Sequence, residues 1–505
     1  MTLTSPRLRG WTTAAIVAGI ALAGLLPRAW RLTVPGLTSD EAFSWRLTGY
    51  PVRDMLARAA QDVHPPLYYI VLEGWRAIAG DGPSVLRGMS VLAGLLVVPL
   101  AFGLVREAAR LDIAEDRRTA ALLAAAMIAI HATQVLQSRN ARMYALGTLL
   151  AAGSAWLILR ANRATVRTWA WWALWGLAAA AAVATHYYLA FTVAAQAAWA
   201  LGAARTRRRL QELLLAGLVA LAVFAPWAPV LWRQARQVRA AYWIPPAGLT
   251  SLAEGIARWG TGFETEPVAS LVALLVIASL VAAARVGRAG RFFALQAAAP
   301  WILGLVVSVS AGRPIVLDRY MLFAQVFLLC AWAVTVTRVG ARALAAGAAL
   351  AIVLLLAAGL ALTLRRLPAD PPALALAARA LKRQAGADDL VAVESPRVLN
   401  KLRYYASQLG ADTLRVRAAL PERVPLLPYV SHVVSLDDGD TVAADALFAA
   451  GADSVWVGRE STSPPNPPPA GWTITFARVF EGGEDTRFTL ARYQRMETPP
   501  PSSAR

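Results

Sequence analysis

Long apolar runs recur along the first 365 residues and are separated by short polar segments. A helix that crosses a membrane needs about 20 consecutive apolar residues, and eleven segments come close to or reach that length. The pattern therefore predicts a polytopic α-helical membrane region with about eleven transmembrane helices. The predicted spans are residues 11–27, 84–105, 119–137, 142–160, 169–185, 187–204, 210–232, 267–285, 292–311, 319–337 and 343–364.

Arginines collect in the short segments between alternate spans. If the eleven spans alternate in direction, six such clusters fall on one side, and the positive-inside rule makes that side cytoplasmic. The N-terminus then lies in the cytoplasm, whereas the outer loop at residues 28–83, residues 233–266 and everything after residue 365 lie outside. The clusters occupy residues 7–9, 106–118, 160–167, 205–209, 285–291 and 338–342.

The chain changes character after Arg365. Prolines at 368, 371 and 372 end the last apolar helix, and short mixed patterns follow. Helical patterns occur at residues 373–384 and 398–408, and strand patterns occur at 390–394, 453–457, 472–476 and 486–493, the last two typical of edge strands.

The sequence thus predicts three regions. They are a transmembrane domain at 1–365, which includes the outer loop 28–83, a small C-terminal α/β extracytoplasmic domain at 366–495 with an accessory role, and a disordered tail at 496–505.

The composition agrees with a membrane protein. The chain is 57% hydrophobic and 16% charged, whereas a soluble domain carries about 25% charged residues. The net charge of +19 would suit nucleic acid, but the basic residues lie in clusters between apolar runs and form no continuous stripe, so no nucleic acid partner is expected. The single cysteine, Cys330, excludes an intrachain disulfide and a cysteine zinc cluster.

The first outer loop carries acidic residues close to the end of the first span. Thr38 and Glu41 fit a capping box, in which each side chain satisfies the other residue's backbone N–H. Asp40 lies between them. The acids either complement a helix N-terminus or act in chemistry at the membrane surface, and the pattern alone leaves both interpretations open.

A second motif follows about twenty residues later, where Asp62 and His64 precede two prolines. Pro65 favours an extended His64, and Pro66 suits the first position of a helix that continues over residues 67–78. Asp62 and His64 then lie beside free backbone N–H groups, which form a ready anion site. A simple helix start with a capping aspartate is the alternative.

Arginines also occur at the predicted outer ends of spans, against the positive-inside trend. Arg139 and Arg142 lie where the third span turns into the fourth, and Arg319 lies where the ninth turns into the tenth. Such arginines are costly at membrane depth unless paired, and phosphate is a natural partner for a guanidinium. Snorkelling to lipid headgroups is the alternative. His186, at another outer turn, is either a structural hydrogen-bonding group or a ligand.

These groups together suit one kind of chemistry. A carboxylate acts as general base on a hydroxyl, and arginines stabilise a departing phosphate, so the set fits transfer of a group from a lipid-linked phosphate to an acceptor. A transporter or flippase of polyprenyl-linked sugars and an inactive structural subunit are the alternatives. Transporters keep their ionisable residues near the bilayer midplane, whereas these acids lie in loops.

The motifs, in their order and spacing, resemble the GT-C superfamily of integral-membrane glycosyltransferases. The branch they resemble is family 39 with its bacterial relatives, namely protein O-mannosyltransferases, lipid A aminoarabinose transferases and lipopolysaccharide galacturonosyl transferases. The resemblance covers residues 10–365. It rests on Asp40-Glu41, Asp62-x-His64-Pro65-Pro66-Leu67-Tyr68-Tyr69, Arg139-x-x-Arg142-Met143-Tyr144, His186-Tyr187-Tyr188 and Arg319-Tyr320.

The resemblance implies an inverting glycosyltransferase on the outer face of a bacterial cytoplasmic (inner) membrane. Its donor would be a sugar on a polyprenyl phosphate, in bacteria undecaprenyl phosphate, and the sugar mannose-like, aminoarabinose or a uronic acid. The acceptor hydroxyl would belong to a glycolipid, polysaccharide or protein of the cell envelope. Leu67-Tyr68-Tyr69 departs from the eukaryotic mannosyltransferases, and His64 stands where the aminoarabinose enzymes have lysine, so protein and aminoarabinose are the less favoured members of these sets.

The resemblance also implies residue roles. Asp40 would be the base, with Glu41 and Asp62 as further catalytic acids. His64 and His186 would contact the acceptor or a metal. No cofactor is implied except a divalent metal ion, which some relatives use and which would lie among Asp62, His64 and His186. The donor phosphate would be bound by Arg139, Arg142, Arg319 and Tyr320.

Overall fold

The computed structural model describes residues 6–112, 117–240, 244, 248–386, 388–420, 432–448, 453–461, 463–482 and 487–496. It divides the chain into two compact units. The helical unit comprises Met1–Trp30, His64–Trp75 and Arg87–Arg366, and the α/β unit comprises Arg31–Val63, Arg76–Leu86 and Leu367–Arg505.

The helices follow the apolar runs of the sequence. They are α1 (Pro6–Ala29), α2 (Ser39–Leu47), α3 (Val52–Ala59), α4 (Leu67–Ala79), α5 (Pro83–Ala108), α6 (Arg117–Ile130), α7 (Ala132–Ser138), α8 (Tyr144–Arg163), α9 (Thr168–Thr185), α10 (Leu189–Ala203), α11 (Arg207–Phe224), α12 (Ala228–Ala240), α13 (Leu249–Thr261), α14 (Ala269–Arg285), α15 (Arg288–Ala311), α16 (Leu322–Val336), α17 (Arg342–Arg365), α18 (Ala373–Gln384) and α19 (Pro396–Gln408).

The strands all lie in the C-terminal part of the described chain. They are β1 (Leu390–Val393), β2 (Arg415–Leu420), β3 (Thr441–Ala443), β4 (Ser454–Arg459), β5 (Trp472–Glu481) and β6 (Arg487–Arg495).

The protein is a polytopic helical membrane protein with a small α/β domain, as the sequence predicted. Helices occupy all eleven predicted segments. Among the described residues, however, seven helices are long and apolar enough to cross a membrane by length and composition, or eight if α6 and α7 form one span bent by 58°. Two further apolar helices, α10 and α14, are shorter. The predicted count of eleven is therefore not confirmed.

Helix α16 forms the centre of the helical unit. Nearly all of its side chains are buried, including Phe323, Phe327 and Cys330, and it packs against α6, α8, α14 and α15. A helix that is apolar on every face is stable only when surrounded by other helices or by lipid. The residues just before it, the 3-10 turn Asp318–Met321, are thereby held at the end of a rigid element.

The described strands of the α/β unit form one mixed sheet in the order β3-β2-β1-β4-β6-β5. Strands β3, β2, β1 and β4 are parallel, whereas β6 is antiparallel to both of its neighbours. The helix predicted at 373–384 has those bounds in the structure. The expectation that the last strand is an edge strand is wrong, because β6 pairs with β4 as well as with β5. Of the two strands expected at an edge, only β5 lies at one.

Residues 31–63 of the first outer loop belong to the α/β unit. Helix α2 packs on α19, and the N–H of Leu37 donates to the hydroxyl of Tyr405 at 2.8 Å. This differs from the division at residue 365, which assigned the loop to the transmembrane domain. The predicted disordered tail, 496–505, lies outside the described residues apart from Met496, and the accessory role of the C-terminal region stays a prediction.

Candidate active site

The first acidic motif forms the N-terminus of α2 in the α/β unit. The predicted capping box is confirmed: the N–H of Glu41 donates to the Thr38 hydroxyl at 3.2 Å, and the Glu41 carboxylate accepts the N–H of Thr38 at 3.0 Å. Glu41 is fully buried, so its carboxylate holds the start of the helix. The Asp40 side chain is 51% exposed and is therefore the more accessible acid of this pair.

His432 lies beside Asp40 within the α/β unit. Its Nε2 is 3.8 Å from Oδ1 of Asp40, and its ring centroid is 5.1 Å from that of Phe43. The sequence interpretation missed this residue, because nothing in the local pattern links it to a segment almost four hundred residues earlier. The sequence offered one indication, because histidine is rare in this chain, with four residues in all.

The second motif is divided between the units. Asp62 belongs to the α/β unit, where it is buried and its N–H donates to the carbonyl of Ala59 at 3.2 Å, just after α3. His64 belongs to the helical unit. The helix begins at Leu67, one residue later than predicted, and the carbonyl of Pro66 accepts the N–H of Ile70 at 3.1 Å.

His186 is the centre of a cluster in the helical unit. It lies in the turn between α9 and α10, and it is buried. Its ring centroid is 6.1 Å from that of His64, whose Nε2 lies 3.5 Å from Nη2 of the buried Arg142. The structure therefore brings together three of the predicted residues from three separate segments of the chain.

The hydrogen bonding of His186 fixes its tautomer. The N–H of Tyr188 donates to Nδ1 of His186 at 3.2 Å, so Nδ1 is the acceptor and Nε2 carries the proton. Burial, and then the charges of His64, Arg142 and Arg319, hold the pKa of His186 well below its ordinary value. The neutral ring is therefore a hydrogen-bond donor through Nε2 near pH 7.

Aromatic rings enclose His186. The centroid of Phe323 is 5.0 Å away and that of Tyr320 5.1 Å away, and Tyr144 and Tyr188 complete the wall. The guanidinium carbon of Arg319 is 5.4 Å from the Tyr320 ring. The sequence did not predict Phe323 as part of the site, because an aromatic residue inside an apolar span is indistinguishable from an ordinary core residue.

Arg139 has a different environment. It is buried after α7, and its Nη1 donates to the carbonyls of Pro27, Arg28 and Trp30 at 2.8, 3.0 and 2.6 Å. The Pro27 and Arg28 carbonyls are among those that the C-terminus of α1 leaves without intrahelical partners. Arg139 thus joins α7 to the end of α1, and its predicted phosphate contact stays a prediction.

A cavity of about 730 Å³ opens in the helical unit beside the 3-10 turn Asp318–Met321. Its walls come mainly from α13 and α15, with apolar residues such as Leu252 and Leu305. Charged residues also line it: Arg258 donates to Asp318 at 2.6 Å, and Arg313 lies after α15. The cavity therefore combines an apolar wall with guanidinium groups.

The described residues do not fit a resident metal ion. They contain no group of three or more His, Cys, Asp or Glu side chains placed to hold one. His64 and His186 lie close together, but Arg142 lies at the Nε2 of His64. The positive charge of this guanidinium would repel a metal cation at the same place. No chemical step through a metal is therefore derived from this site.

Solved structures of other proteins have the same fold. ArnT from Cupriavidus metallidurans matches with TM-scores of 0.59 in its apo state and 0.56 bound to undecaprenyl phosphate, at 13% and 14% identity, over 96% and 95% of this chain and 98% of that chain. The Archaeoglobus fulgidus oligosaccharyltransferase with zinc and sulfate matches with a TM-score of 0.52 at 14% identity, over 88% of this chain and 67% of that chain.

Residues 63–232, less than half of the chain, match the family model of dolichyl-phosphate-mannose-protein mannosyltransferase. The motifs in the sequence predicted a resemblance to this family. No curated protein matches the sequence. None of these matches supports the transporter alternative.

Proposed function

We propose that the protein transfers a sugar from a polyprenyl-phosphate donor to an acceptor hydroxyl, with inversion at the anomeric carbon. The observation that carries the proposal is the convergence of His64, Arg142 and His186 in the helical unit, with Arg319 beside the same rings. Guanidinium and imidazole groups that meet at helix ends suit an anionic ligand.

The cluster suits a phosphate that leaves the donor. Arg142 and Arg319 supply guanidinium donors, His186 supplies a neutral Nε2–H, and Tyr320 supplies a hydroxyl. As the bond between the anomeric carbon and the phosphate oxygen breaks, its electron pair passes to that oxygen. Fixed donors in a water-poor site stabilise this growing charge most strongly at the transition state.

Asp40 is the proposed general base of the reaction. Its half-exposed carboxylate at the N-terminal turn of α2 takes the proton of the acceptor hydroxyl. The acceptor oxygen forms the new bond to the anomeric carbon from the side opposite the phosphate, which inverts the configuration. Glu41 holds the helix start that presents Asp40, and Asp62 stays a further candidate acid.

The cavity between α13 and α15 is the proposed binding site of the polyprenyl chain. Its apolar wall, with residues such as Leu252 and Leu305, matches an isoprenoid tail. We expect undecaprenyl phosphate as the carrier in a bacterium. The match of residues 63–232 to a mannosyltransferase family makes a mannose-like sugar the first donor to test, before uronic acids and aminoarabinose.

We also propose that the reaction takes place outside the cytoplasm. The arginine clusters between alternate spans favour a cytoplasmic N-terminus and an extracytoplasmic α/β unit in the inner membrane. The acceptor would then be a glycolipid, polysaccharide or protein of the cell envelope.

Mass spectrometry of envelope glycolipids and glycoproteins, with and without the gene, tests the proposal. Cells that lack the gene should accumulate one polyprenyl-phosphate sugar and lose one glycosylated product. Asp40→Asn, at equal protein level, should lower turnover of that lipid by about 10²–10⁴-fold, the usual contribution of a general base.

Asp54→Asn is the matched control, because Asp54 is an exposed acid of the same loop on α3. It should transfer sugar at the normal rate. If no lipid-linked sugar accumulates, the proposed activity is wrong. If Asp40→Asn keeps most of its turnover, Asp40 is not the base.

A further inference from the structure

We infer that His432, from the C-terminal part of the chain, is a positioning residue for the Asp40 carboxylate. The inference rests on the proposed function, since it assigns a helper to the proposed base. It also gives the C-terminal region a direct part in the reaction, where the sequence indicated only an accessory module. The contacts that support this role all lie within the α/β unit.

Two residues of α2, Asp40 and Phe43, lie beside the imidazole of His432. Phe43, one turn further along α2, packs on the ring, and Nε2 lies 3.8 Å from Oδ1 of Asp40. The side chain is buried. A small shift of the half-exposed carboxylate brings this pair to hydrogen-bond distance, with Nε2–H donating to Oδ1 and Oδ2 left for the acceptor hydroxyl.

The backbone at His432 is constrained as well. Its φ of 57° lies in the left-handed region, which is uncommon for a residue with a Cβ and persists where the surroundings enforce it. The carbonyl of His432 accepts the N–H and the hydroxyl of Ser435 at 3.1 and 2.6 Å. The Ser435 hydroxyl in turn accepts from Asn400 on α19 at 2.8 Å, so the turn is fixed to the α/β core.

Arg58 of α3 ties the same turn to the loop that carries Asp40. Its Nη1 donates to the carbonyls of Val434 and Leu436 at 2.9 and 2.8 Å, and its Nη2 bonds Asp437 at 2.6 Å. A guanidinium that spans two carbonyls and a carboxylate fixes the position of all three. The segment that contains His432 therefore has a defined position relative to α3.

A second set of contacts comes from the end of α2 and the residues after it. Arg46 pairs with Asp437, and the hydroxyl of Tyr50 donates to the Ser435 carbonyl at 3.1 Å. Burial raises the pKa of Tyr50 to about 12, so this hydroxyl stays a donor across the physiological range. Two helices of the first loop thus hold the five residues after His432, while His432 itself faces the start of α2.

In the reaction, His432 leaves the proton balance unchanged. The acceptor hydroxyl still gives its proton to Asp40, and the phosphate still leaves with the bonding electron pair. The imidazole fixes which carboxylate oxygen faces the acceptor. Misplacement of a reacting group by about 1 Å costs up to about 10²-fold in rate, so loss of the imidazole should lower kcat and spare donor binding.

The test compares three substitutions of one residue in the full-length protein. The donor is the polyprenyl-phosphate sugar that accumulates in cells lacking the gene. His432→Ala should lower kcat by about 10- to 100-fold with the donor KM within about twofold. His432→Gln should restore most of kcat, because its Nε2 amide reaches as far as the imidazole Nε2.

His432→Asn separates positioning from a merely structural role. Asparagine tolerates a positive φ better than glutamine does, but its amide is too short to reach Asp40. Positioning predicts that the Gln variant is faster than the Asn variant, whereas a backbone role predicts the reverse order. An unchanged kcat in His432→Ala, or an Asn variant at least as fast as the Gln variant, overturns the inference.

Asp40→Asn distinguishes this inference from the proposed function. If Asp40→Asn is inactive and the His432 variants are unchanged, only the positioning role fails. If Asp40→Asn is active, or if no lipid-linked sugar accumulates, the proposed base or the proposed activity fails and the inference fails with it. The Gln and Asn variants remain informative if the alanine variant does not fold.

Discussion

Gly147 on α8 gives a prediction about the site from a residue that carries no functional group. A Cβ at this position would lie 2.5 Å from Cε1 of Phe323 and 3.2 Å from Cδ1 of Leu189. Carbon atoms in contact are normally about 3.5–4.0 Å apart, so the Phe323 ring has to move by about 1 Å. That ring packs against His186 at a centroid distance of 5.0 Å.

The magnitude follows from two opposing effects of Gly147→Ala. Overpacking a tight core costs about 1–3 kcal/mol, whereas replacing glycine by alanine inside a helix gains about 1 kcal/mol. Gly153→Ala on the same helix is the matched control, because its new Cβ meets only Leu100 at 3.9 Å. The two variants should therefore differ by about 1–3 kcal/mol in stability, with Gly153→Ala the more stable.

Two measurements check this prediction. The unfolding midpoint in detergent should fall for Gly147→Ala and stay level or rise for Gly153→Ala. Binding of undecaprenyl phosphate should weaken by roughly 10-fold or more in Gly147→Ala alone, because a displaced Phe323 no longer holds His186 in place. Equal stability and equal binding in the two variants would refute the argument that this aromatic packing positions the phosphate ligands.

Two further predictions concern one arginine in each unit. Arg142→Lys keeps the charge but removes the guanidinium fork, so undecaprenyl phosphate should bind about 10-fold more weakly while the unfolding midpoint changes little. Unchanged binding would exclude Arg142 from the phosphate site. Arg58→Ala removes three hydrogen bonds from a side chain that is 23% exposed, which should cost about 2–3 kcal/mol. This loss of stability in Arg58→Ala should appear as faster amide exchange at residues 433–437. Arg53→Ala, which changes an exposed residue on the same helix, should leave exchange unchanged.

Local patterns in the sequence predicted the local structure well. The capping box at Thr38 and Glu41 depends on residues three apart and is present as predicted. The apolar runs became helices because a backbone in lipid has to satisfy its own hydrogen bonds. The break between α6 and α7 after His131 was missed, since the apolar run continues through it without a proline or glycine.

Contacts between distant segments were not readable from the sequence. Periodicity does not show that α2 packs on α19, that β6 lies inside the sheet, or that His432 faces Asp40. The part of the candidate site that was predicted, His64 with Arg142 and His186, was found because histidines and arginines are conspicuous at the ends of apolar helices. Phe323 was not found, because its chemistry is that of the surrounding core.

The grouping of the first outer loop with the C-terminal strands has a consequence for synthesis of the protein. Asp40 leaves the ribosome early, but His432 and the turn that Arg58 holds follow roughly 400 residues later, which takes about 20–80 s at 5–20 residues per second. During that interval helices α2 and α3 lack the surface on which they pack. The nascent protein therefore lacks these contacts until residues 432–437 have been translated, and a premature stop codon before them would remove the turn that supports helices α2 and α3.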